Sequence, residues 1–401
     1  MKLHKILADA VLQSLYTIFS ENRYADKVIE KTLKSNKKWG SRDRGFIAES
    51  IYDIVRNWRL LGFVCEVEGE ELQHLWKVFG AWYFLKYKEI PNWSEFDGLD
   101  ENKITERHIL AADHRATFYS IPDWMDTRCN EEFGDKWPDE LKALNEPAEV
   151  FIRVNTHKTN CADLKSLLEK EGILVSLVPD SPDALKLQVR KNLFSSPLFL
   201  NGYFEIQDAG SQWIARFLDP QPGNRVIDAC AGAGGKTLHL SALMENKGHL
   251  IAMDIEEWKL SELKKRAKRG AAHNIETRLI ESNKTIKRLH ETADRLLLDV
   301  PCSGLGVLRR NPDAKWKIQA DFIDKVCLTQ QEILKNYSKM LRKGGQMVYA
   351  TCSILPSENE NQVKWFLELQ KGAFQLLEEK HCLPSKNGYD GFYMALLKRV
   401  K

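Results

Sequence analysis

The chain has 401 residues, of which 43% are hydrophobic and 29% charged, a composition typical of a globular protein with two or three domains and not of a disordered or fibrous one. Its 59 Lys and Arg residues nearly balance 56 Asp and Glu residues, so the net charge of +3 does not by itself indicate nucleic-acid binding. The absence of a signal-peptide core, of a long apolar run and of any C-x-x-C pair predicts a cytoplasmic protein with eight free cysteines, no metal site and no membrane segment.

Residues 1–145 are predicted to form a helical domain. Apolar residues recur every three or four positions in two stretches: Leu3, Ile6, Leu7, Ala10 and Val11, and then Ala48, Ile51, Tyr52, Val55 and Trp58. This spacing places an apolar stripe on one face of a helix, and the alternation typical of strands is hardly present. The predicted domain is therefore all-helical.

A basic run crosses this domain between residues 34 and 59. The run contains seven basic residues and only three acidic ones. The basic residues are Lys34, Lys37, Lys38, Arg42, Arg44, Arg56 and Arg59, and the acidic ones are Asp43, Glu49 and Asp53. Such a run is most often a solvated surface, and contact with RNA phosphates is the functional alternative. The sequence leaves both interpretations open.

The pattern changes near Pro147. Segment 146–200 contains three strand-like stretches, EVFIRVNT, ILVSLV and ALKLQV, and one helical stretch, NCADLKSLLEKEG, so we interpret it as a small α/β module. In residues 201–401, apolar strands alternate with helices from RVIDAC to FYMALLKRV, which predicts a doubly wound, mostly parallel sheet with a closing pair of strands. The predicted fold class is thus α/β, with a Rossmann-like sheet preceded by a small α/β module and a helical domain.

A glycine-rich turn, ACAGAGGKT, follows the strand RVID. Its end resembles a phosphate-binding P-loop, but that loop needs a glycine at the position that Cys230 occupies, five residues before Gly235. The spacing is not G-x-G-x-x-G either. Gly232, Gly234 and Gly235 therefore predict a tight turn through which a ligand approaches the backbone, at a helix N-terminus whose N–H groups can bind a carboxylate.

An acid, Asp254, ends the next strand, HLIAMD. At that position of a nucleoside-binding sheet a carboxylate can accept hydrogen bonds from both ribose hydroxyls. S-adenosylmethionine carries both a carboxylate and a ribose. The glycine turn and the acid together therefore predict an S-adenosylmethionine site.

Two cysteines follow predicted strands. LLLDVPCSGLG places Asp299 and Cys302 just past one strand, and MVYATCSILP places Cys352 just past another. A lone cysteine is most often a small buried hydrophobic residue. Two cysteines at the ligand-side ends of strands, beside a predicted methyl donor, favour a catalytic role instead. A thiolate that adds to C6 of cytosine makes C5 nucleophilic enough to take a methyl group, and Asp299 is placed to hydrogen-bond the ring.

Six stretches of the chain resemble the Nop2/Sun/RsmB family of RNA 5-methylcytosine methyltransferases. DVPCSGLGVLRRNPDAKW and YATCSILPSENE look like its signature motifs, DACAGAGGKT like its donor loop and FEIQDAGSQ like the segment before it. Upstream, SRDRGFIAESIYDIVRNWR resembles the NusB-like RNA-binding domain of some bacterial members, and FIRVNTHKTN resembles the family's small RNA-binding domain. The resemblance implies RNA-binding roles for 1–145 and 146–200 and a class I methyltransferase domain at 201–401.

The resemblance also implies roles for single residues. Cys352 would be the nucleophile, Cys302 would assist product release, and Asp299 would contact both the ring and the donor. The remaining donor contacts would be Cys230, Ala231, Gly232, Ala233, Gly234, Gly235, Lys236 and Asp254. Where the family has an acid near the adenine, LIESNKT offers Ser282 or Asn283, and Ala233 replaces a proline common in the family.

The resulting prediction is a methyltransferase that uses S-adenosylmethionine to modify C5 of a cytosine in RNA, with 16S ribosomal RNA as the expected substrate. The target cytosine must leave its stack, that is, flip out, before Cys352 can reach C6. Arg309 and Arg310, which follow the P-C-S-G stretch, are expected to contact RNA near this flipped base. One alternative is a cytosine-C5 methyltransferase acting on DNA or tRNA; the DNA enzymes lack a T-C partner such as Cys352. The other is an RNA-binding assembly or antitermination-like factor with a non-catalytic methyltransferase domain.

Overall fold

The structure is a computed structural model that describes residues 3–69 and 71–401. The chain forms two compact units. The helical unit comprises the chain up to Glu146 together with Leu308–Ala320, and the sheet unit comprises Pro147–Val307 together with Asp321–Lys401. No helix within the described residues is both long and apolar enough to cross a membrane.

Helices α1 to α9 build most of the helical unit. They are α1 (Lys5–Phe19), α2 (Ala25–Ser35), α3 (Ser41–Arg56), α4 (Trp58–Cys65), α5 (Leu72–Tyr87), α6 (Glu101–Ala111), α7 (Arg115–Phe118), α8 (Asp123–Phe133) and α9 (Trp137–Leu144). The apolar stripes predicted on the first and third of these helices pack into one core, in which Leu15 and Ile51 are fully buried. The helical prediction for this part of the chain is confirmed.

The segment Leu308–Ala320 lies in the helical unit, although the sequence analysis assigned it to residues 201–401. Its Lys315 is 4% exposed, and Lys315 Nζ donates to the Arg56 carbonyl oxygen at 2.7 Å and to Asn145 Oδ1 at 3.0 Å. Arg56 is itself buried and donates to the Arg309 carbonyl oxygen at 3.2 Å. Because a buried ammonium needs several acceptors, these bonds anchor the segment within the helices.

The sheet unit begins with a small four-stranded antiparallel sheet in the order β2-β3-β1-β4. Its elements are β1 (Phe151–Val154), α10 (Cys161–Lys170), β2 (Val175–Leu177), β3 (Ala184–Leu187), α11 (Pro197–Leu200) and β4 (Phe204–Ile206). The three strands and the helix predicted for the module are confirmed. The fourth strand lies beyond residue 200 and pairs with the first, so the small sheet extends past the boundary drawn from the sequence.

A seven-stranded sheet forms the centre of the sheet unit, in the order β10-β11-β9-β8-β5-β6-β7. Its strands are β5 (Arg225–Asp228), β6 (His249–Asp254), β7 (Ile275–Leu279), β8 (Ala293–Asp299), β9 (Leu341–Thr351), β10 (Phe374–Cys382) and β11 (Phe392–Arg399). The strands β5 to β9 run parallel, and β11 pairs antiparallel with both β9 and β10. This is the predicted Rossmann-like sheet with its closing pair, and the predicted fold class is confirmed.

Helices cover both faces of this sheet. They are α12 (Ala209–Leu218), α13 (Gly235–Leu243), α14 (Glu257–Gly270), α15 (Asn283–Lys287), α17 (Ala320–Tyr337), α18 (Glu360–Gln370) and the short α19 (Pro384–Asn387), while the short α16 (Ala314–Lys317) lies in the helical unit. Two apolar clusters, one on each face, bury most of the central strands, whereas β7 is half-buried and β10 is mostly exposed. Since β5, β6, β8 and β9 are parallel, their carboxyl ends meet at one edge of the sheet, where such folds bind ligands.

Candidate active site

The donor loop, residues 230–236, connects β5 to α13 at the ligand edge of the sheet. Gly234 has φ +89°, and a Cβ there would lie 2.5 Å from Leu263 Cγ, so this position needs glycine for both conformation and space. A Cβ on Gly232 or Gly235, in contrast, would meet no heavy atom within 4 Å. The loop is therefore tight against α14 and open at these two glycines, as a loop that admits a ligand must be.

Asp254, at the end of β6, is joined to the donor loop. Its Oδ2 accepts the N–H of Gly232 at 2.8 Å, and its Oδ1 accepts the N–H of Glu256 at 2.9 Å. Each carboxylate oxygen has a second lone pair, so the group can still accept hydroxyl donors. The sequence-predicted acid thus lies beside the glycine loop with a fixed orientation.

Lys236 and Asp299 connect the donor loop to the end of β8. Lys236 Nζ lies 2.7 Å from Asp299 Oδ2. Burial disfavours the Lys236 ammonium, but the negative charges of Asp299 and Cys352 outweigh this effect and hold the pKa of Lys236 above its usual value. The Lys236 ammonium therefore lies in electrostatic range of Cys352.

The two cysteine loops, residues 300–307 and 352–358, follow β8 and β9. Cys302 Sγ lies 3.3 Å from Cys352 Sγ, although the two residues are 50 positions apart in the chain. The loops also contact through their backbones, because the Gly306 N–H donates to the Cys352 carbonyl oxygen at 2.9 Å. A Cβ on Gly306 would lie 2.2 Å from the Gly391 carbonyl oxygen, so only glycine permits this approach.

Cys302 is a poor candidate for the initial nucleophile. Its hydrogen bond with Cys352, burial, and the negative charges of Cys352 and Glu358 raise the pKa of Cys302 well above the usual value. Cys302 therefore holds its proton more firmly than an unperturbed thiol does. Cys230, the other cysteine at this edge, is also held as a thiol, because burial and then Asp228, Asp299 and Asp254 raise its pKa well above the usual value.

Glu358 joins the two cysteine loops, and sequence reasoning assigned it no role. Its side chain is fully buried; Oε2 accepts the N–H of Ser303 at 2.7 Å and Gln330 Nε2 at 3.1 Å, while Oε1 accepts Ser353 Oγ at 2.6 Å. Burial raises the pKa of Glu358, and the hydrogen bonds from Ser303 and Ser353 oppose that rise. No local sequence pattern distinguishes Glu358 from the neighbouring acid Glu360, because its partner Ser303 lies 55 positions away in the chain.

Of the two residues considered near the adenine, Ser282 caps α15 and Asn283 is its first residue. Ser282 Oγ accepts the N–H of Lys284 at 3.3 Å, and both side chains are exposed just beyond β7. The remaining predicted donor residues, Ala231 and Ala233, belong to the donor loop: the Ala231 N–H donates to the Met253 carbonyl oxygen at 2.8 Å. The structure thus brings the predicted residues to a single sheet edge. In the described part of the chain, no group of His, Cys, Asp and Glu could hold a metal ion.

The basic run in the helical unit divides into two groups. Arg44 donates to the carbonyl oxygens of Trp39 and Asn36, Arg56 is buried, and Arg59 pairs with Asp123 at 2.8 Å. Lys34, Lys37, Lys38 and Arg42 are exposed. The two interpretations of the run, a solvated surface and an RNA contact, therefore concern mainly this second group.

Arg309 does not have the exposure expected of an RNA contact. The sequence analysis placed Arg309 and Arg310 near the flipped base because they follow the P-C-S-G stretch. In the structure Arg309 is only 8% exposed and lies in the helical unit, whereas Arg310 is half-buried. This burial argues against Arg309 as a direct RNA contact, and a contact through Arg310 stays a prediction.

Two family models match the chain. The one described as 16S rRNA methyltransferase RsmB/F matches residues 215–398. The one described as the ferredoxin-like domain of RsmF/B-like methyltransferases matches residues 121–193. The first match contains the donor loop, Asp254 and both cysteine loops.

Curated relatives agree with these matches. Ribosomal RNA small subunit methyltransferase B of Vibrio cholerae is 34% identical over 297 residues, covering 72% of this chain and 68% of the relative. The same-named protein of Proteus mirabilis is 34% identical over 70% of this chain and 66% of its own length. A probable methyltransferase B of Synechocystis is 28% identical over 96% of this chain and 98% of its own. The chain thus spans about two thirds of the length of the first two relatives.

Solved structures share the fold. The crystal structure of PH0851 covers 100% of both chains with a TM-score of 0.83 at 22% identity. A methyltransferase homologue from Pyrococcus horikoshii covers 73% of this chain and 99% of its own, with a TM-score of 0.64 at 27% identity. Given the family-model matches, the identity to the Vibrio relative and the motifs at the sheet edge, the chain belongs to the Nop2/Sun/RsmB family, whose RsmB/F members are 16S rRNA methyltransferases.

Proposed function

We propose that this chain uses S-adenosylmethionine to methylate C5 of a cytosine in 16S ribosomal RNA, through a covalent bond between Cys352 and C6 of the base. The observation that carries the proposal is the juxtaposition of Cys302 and Cys352, 3.3 Å apart, with the Lys236–Asp299 pair linking their edge of the sheet to the donor loop. Two thiols, a cation and a carboxylate around one strand edge are suited to activating a pyrimidine ring. The scattered free cysteines fit a cytoplasmic location.

The residues at the donor loop fit S-adenosylmethionine. The open space at Gly232 and Gly235 would admit the methionine end, and the N-terminus of α13 offers N–H groups to its carboxylate. Asp254 would accept the ribose hydroxyls, with Cys230, Ala231, Ala233, Gly234 and Ser282 completing the surroundings. When bound, S-adenosylmethionine supplies the methyl group that C5 takes.

The charges around the thiols support an order for the protein's steps. Cys352, as a thiolate with the Lys236 ammonium nearby, would add to C6, so that the S–C6 bond forms and the ring electrons move toward C5. Asp299 would hydrogen-bond the ring edge and stabilise it in this state. After C5 has taken the methyl group, its proton must leave to a base, and the S–C6 bond then breaks to restore the Cys352 thiolate.

Cys302 is suited to be that base because its acidity would change during the reaction. The hydrogen bond with Cys352 and the Cys352 charge are among the causes that raise the pKa of Cys302, and a thiolate that has become a thioether no longer supplies that charge. The pKa of Cys302 would therefore fall once the S–C6 bond has formed. Cys302 could then release its proton to water, take the C5 proton and so permit elimination.

The binding-factor alternative has weaker support. A protein without catalysis has no need for a buried carboxylate that orders both cysteine loops, or for a cation near a thiol. The geometry of the site suits a cytosine in tRNA as well as one in ribosomal RNA. The choice of 16S ribosomal RNA rests on the relatives' names.

Bisulfite sequencing of total RNA tests the proposal. We expect one 16S cytosine that resists conversion in the wild-type strain to convert in a deletion strain. A gene for the wild-type chain should restore resistance, and a gene for the Cys352→Ala variant should not. A changed cytosine in tRNA alone would favour the tRNA alternative, and no change in any RNA would contradict methylation at C5.

A further inference from the structure

The segment Arg153–Lys158, in the small sheet, uses its polar side chains inside the chain. Asn155 Nδ2 donates to the Gly270 carbonyl oxygen at 2.7 Å, and Lys158 Nζ donates to the Arg269 carbonyl oxygen at 2.8 Å. These oxygens belong to the last turn of α14, where carbonyl groups lack helical partners. The segment therefore caps α14, a helix that packs on the seven-stranded sheet.

Arg153 reaches the donor loop itself. It is 3% exposed, and its Nη1 donates to the Gly235 carbonyl oxygen at 2.5 Å and also to Gln207 Oε1. Burying a guanidinium is costly unless its donors are satisfied, so its position is well determined. Arg153 thus holds one backbone oxygen of the donor loop from the small sheet.

A second contact reaches the same loop through Glu205. Glu205 is the direct cross-strand neighbour of Arg153 in the pairing of β1 with β4, and it is 7% exposed. Glu205 Oε2 accepts Arg266 Nη2 at 3.0 Å, and Arg266 Nη1 donates to the Ala233 carbonyl oxygen at 2.7 Å. The two held oxygens, on Ala233 and Gly235, flank the left-handed Gly234.

We propose that Arg153 and Glu205 are positioning residues through which the small sheet keeps the donor loop in its binding conformation. A loop with three glycines samples many backbone conformations when free, and fixing two of its carbonyl groups removes much of that freedom. The donor then binds a preformed loop and does not have to order it. This inference rests on the proposed function, because it takes S-adenosylmethionine as the ligand of the loop.

The inference assigns the motif FIRVNTHKTN a role that differs from the RNA contact implied by the family resemblance. Arg153 is buried and Asn155 is half-buried, and their donors are used within the chain, whereas an RNA contact needs exposed donors; of the three side chains only that of Lys158 is exposed. Replacement of Arg153 should consequently lower the affinity for S-adenosylmethionine and leave the affinity for RNA unchanged. That difference separates the two roles in one set of measurements.

Calorimetry with S-adenosylmethionine and steady-state kinetics test the proposal on the full chain. We expect Arg153→Ala to raise the donor Kd and the donor KM about tenfold or more, the effect of losing a charged hydrogen bond. The kcat at saturating donor and the RNA affinity should stay close to wild type. Arg153→Lys, which keeps the charge but has one donor group, should recover part of the affinity, and Glu205→Gln should act in the same direction as Arg153→Ala.

Arg216→Ala is the matched control. Arg216 Nε donates to Asp183 at 2.8 Å, so it also joins α12 to the small sheet. Among the described residues, no bond joins Arg216 to the donor loop. We expect this variant to lose stability without losing donor affinity. If Arg153→Ala does not fold, Arg153→Lys and Glu205→Gln decide the matter.

Three results overturn the proposal. Folded Arg153 and Glu205 variants with wild-type donor affinity would leave both residues without a positioning role. A loss of RNA affinity with unchanged donor affinity would assign the motif to RNA. A wild-type chain that binds no S-adenosylmethionine would remove this inference together with the proposed function, whereas the first two results would remove the inference alone.

Discussion

The cysteine loops and the donor loop lie at the same edge of the large sheet, but they are held in different ways. A buried side chain holds the cysteine loops: Glu358 bonds Ser303 on one loop and Ser353 on the other. The donor loop is held by its backbone, through the oxygens that Arg153 and Arg266 contact, and it stays open at its glycines. We infer that the first arrangement fixes reacting atoms, while the second keeps a binding surface accessible.

This comparison predicts two classes of variant. Changes around Glu358 should lower the rate of the chemical step with little effect on the donor. Changes at Asp254 or Arg153 should lower the affinity for S-adenosylmethionine, with little effect on the rate at saturating S-adenosylmethionine. The difference can be read from kcat against KM.

Among these variants, we expect the largest effect from replacing Glu358. Glu358→Ala would leave the Ser303 N–H and the Ser353 hydroxyl without their buried acceptor, at a cost of roughly 2–4 kcal/mol in the free energy of unfolding of the sheet unit. The displaced loops should lower kcat by about a hundredfold or more, because small misplacements of reacting groups are costly. Single-turnover methylation and thermal unfolding measure the two effects.

Glu358→Gln is the control for that prediction. The amide oxygen can accept the Ser303 N–H, and the amide N–H₂ can donate to the serine hydroxyls, so most of the network can re-form. We expect this variant to retain more stability and more activity than the alanine variant. Equal activity in all three proteins would show that Glu358 does not order the cysteines.

A smaller effect is expected at Asp254. Asp254→Ala should weaken the binding of S-adenosylmethionine by about 1–3 kcal/mol. The ribose hydroxyls would lose a charged acceptor, and the Gly232 N–H would lose its partner. The fold should survive, because Asp254 lies at a strand end. Calorimetry gives the donor Kd, and an unchanged value would remove Asp254 from the donor site.

Much of this edge could be predicted from the sequence, because its signals are local. Apolar strands that end on Asp254 and Asp299, or just before Cys352, indicate the sheet and its ligand side, and the family resemblance adds the roles of the thiols of Cys302 and Cys352. Glu358 was missed because its partners on β8's loop are 55 positions away in the chain. No local pattern reports such a contact.

Burial of charged residues was the second feature that the sequence did not disclose. Lysine is almost never fully buried, so nothing in DAKWK indicates that Lys315 is inside the helical unit. Likewise, the run from residue 34 to residue 59 looks like one basic surface, yet Arg44 and Arg56 bond carbonyl groups within the unit. Which charges remain exposed depends on tertiary packing.

The smallest expected effect concerns the exposed part of that run. Replacing Lys37, Lys38 and Arg42 together by alanine should weaken RNA binding several-fold and reduce the slope of log affinity against log salt by about two to three, if each residue contacts a phosphate. Donor affinity should not change. Replacing exposed Lys136 and Lys142 of the same unit is the control, and wild-type values in both proteins would make the run a solvated surface.

The most direct test of the account compares two cysteine variants on RNA. With S-adenosylmethionine present, the Cys302→Ala variant should accumulate a protein–RNA adduct that survives denaturing electrophoresis, because the S–C6 bond forms but elimination lacks its base. The Cys352→Ala variant should form no adduct and transfer no methyl group. An adduct with Cys352→Ala and none with Cys302→Ala would contradict the account and make Cys302 the nucleophile.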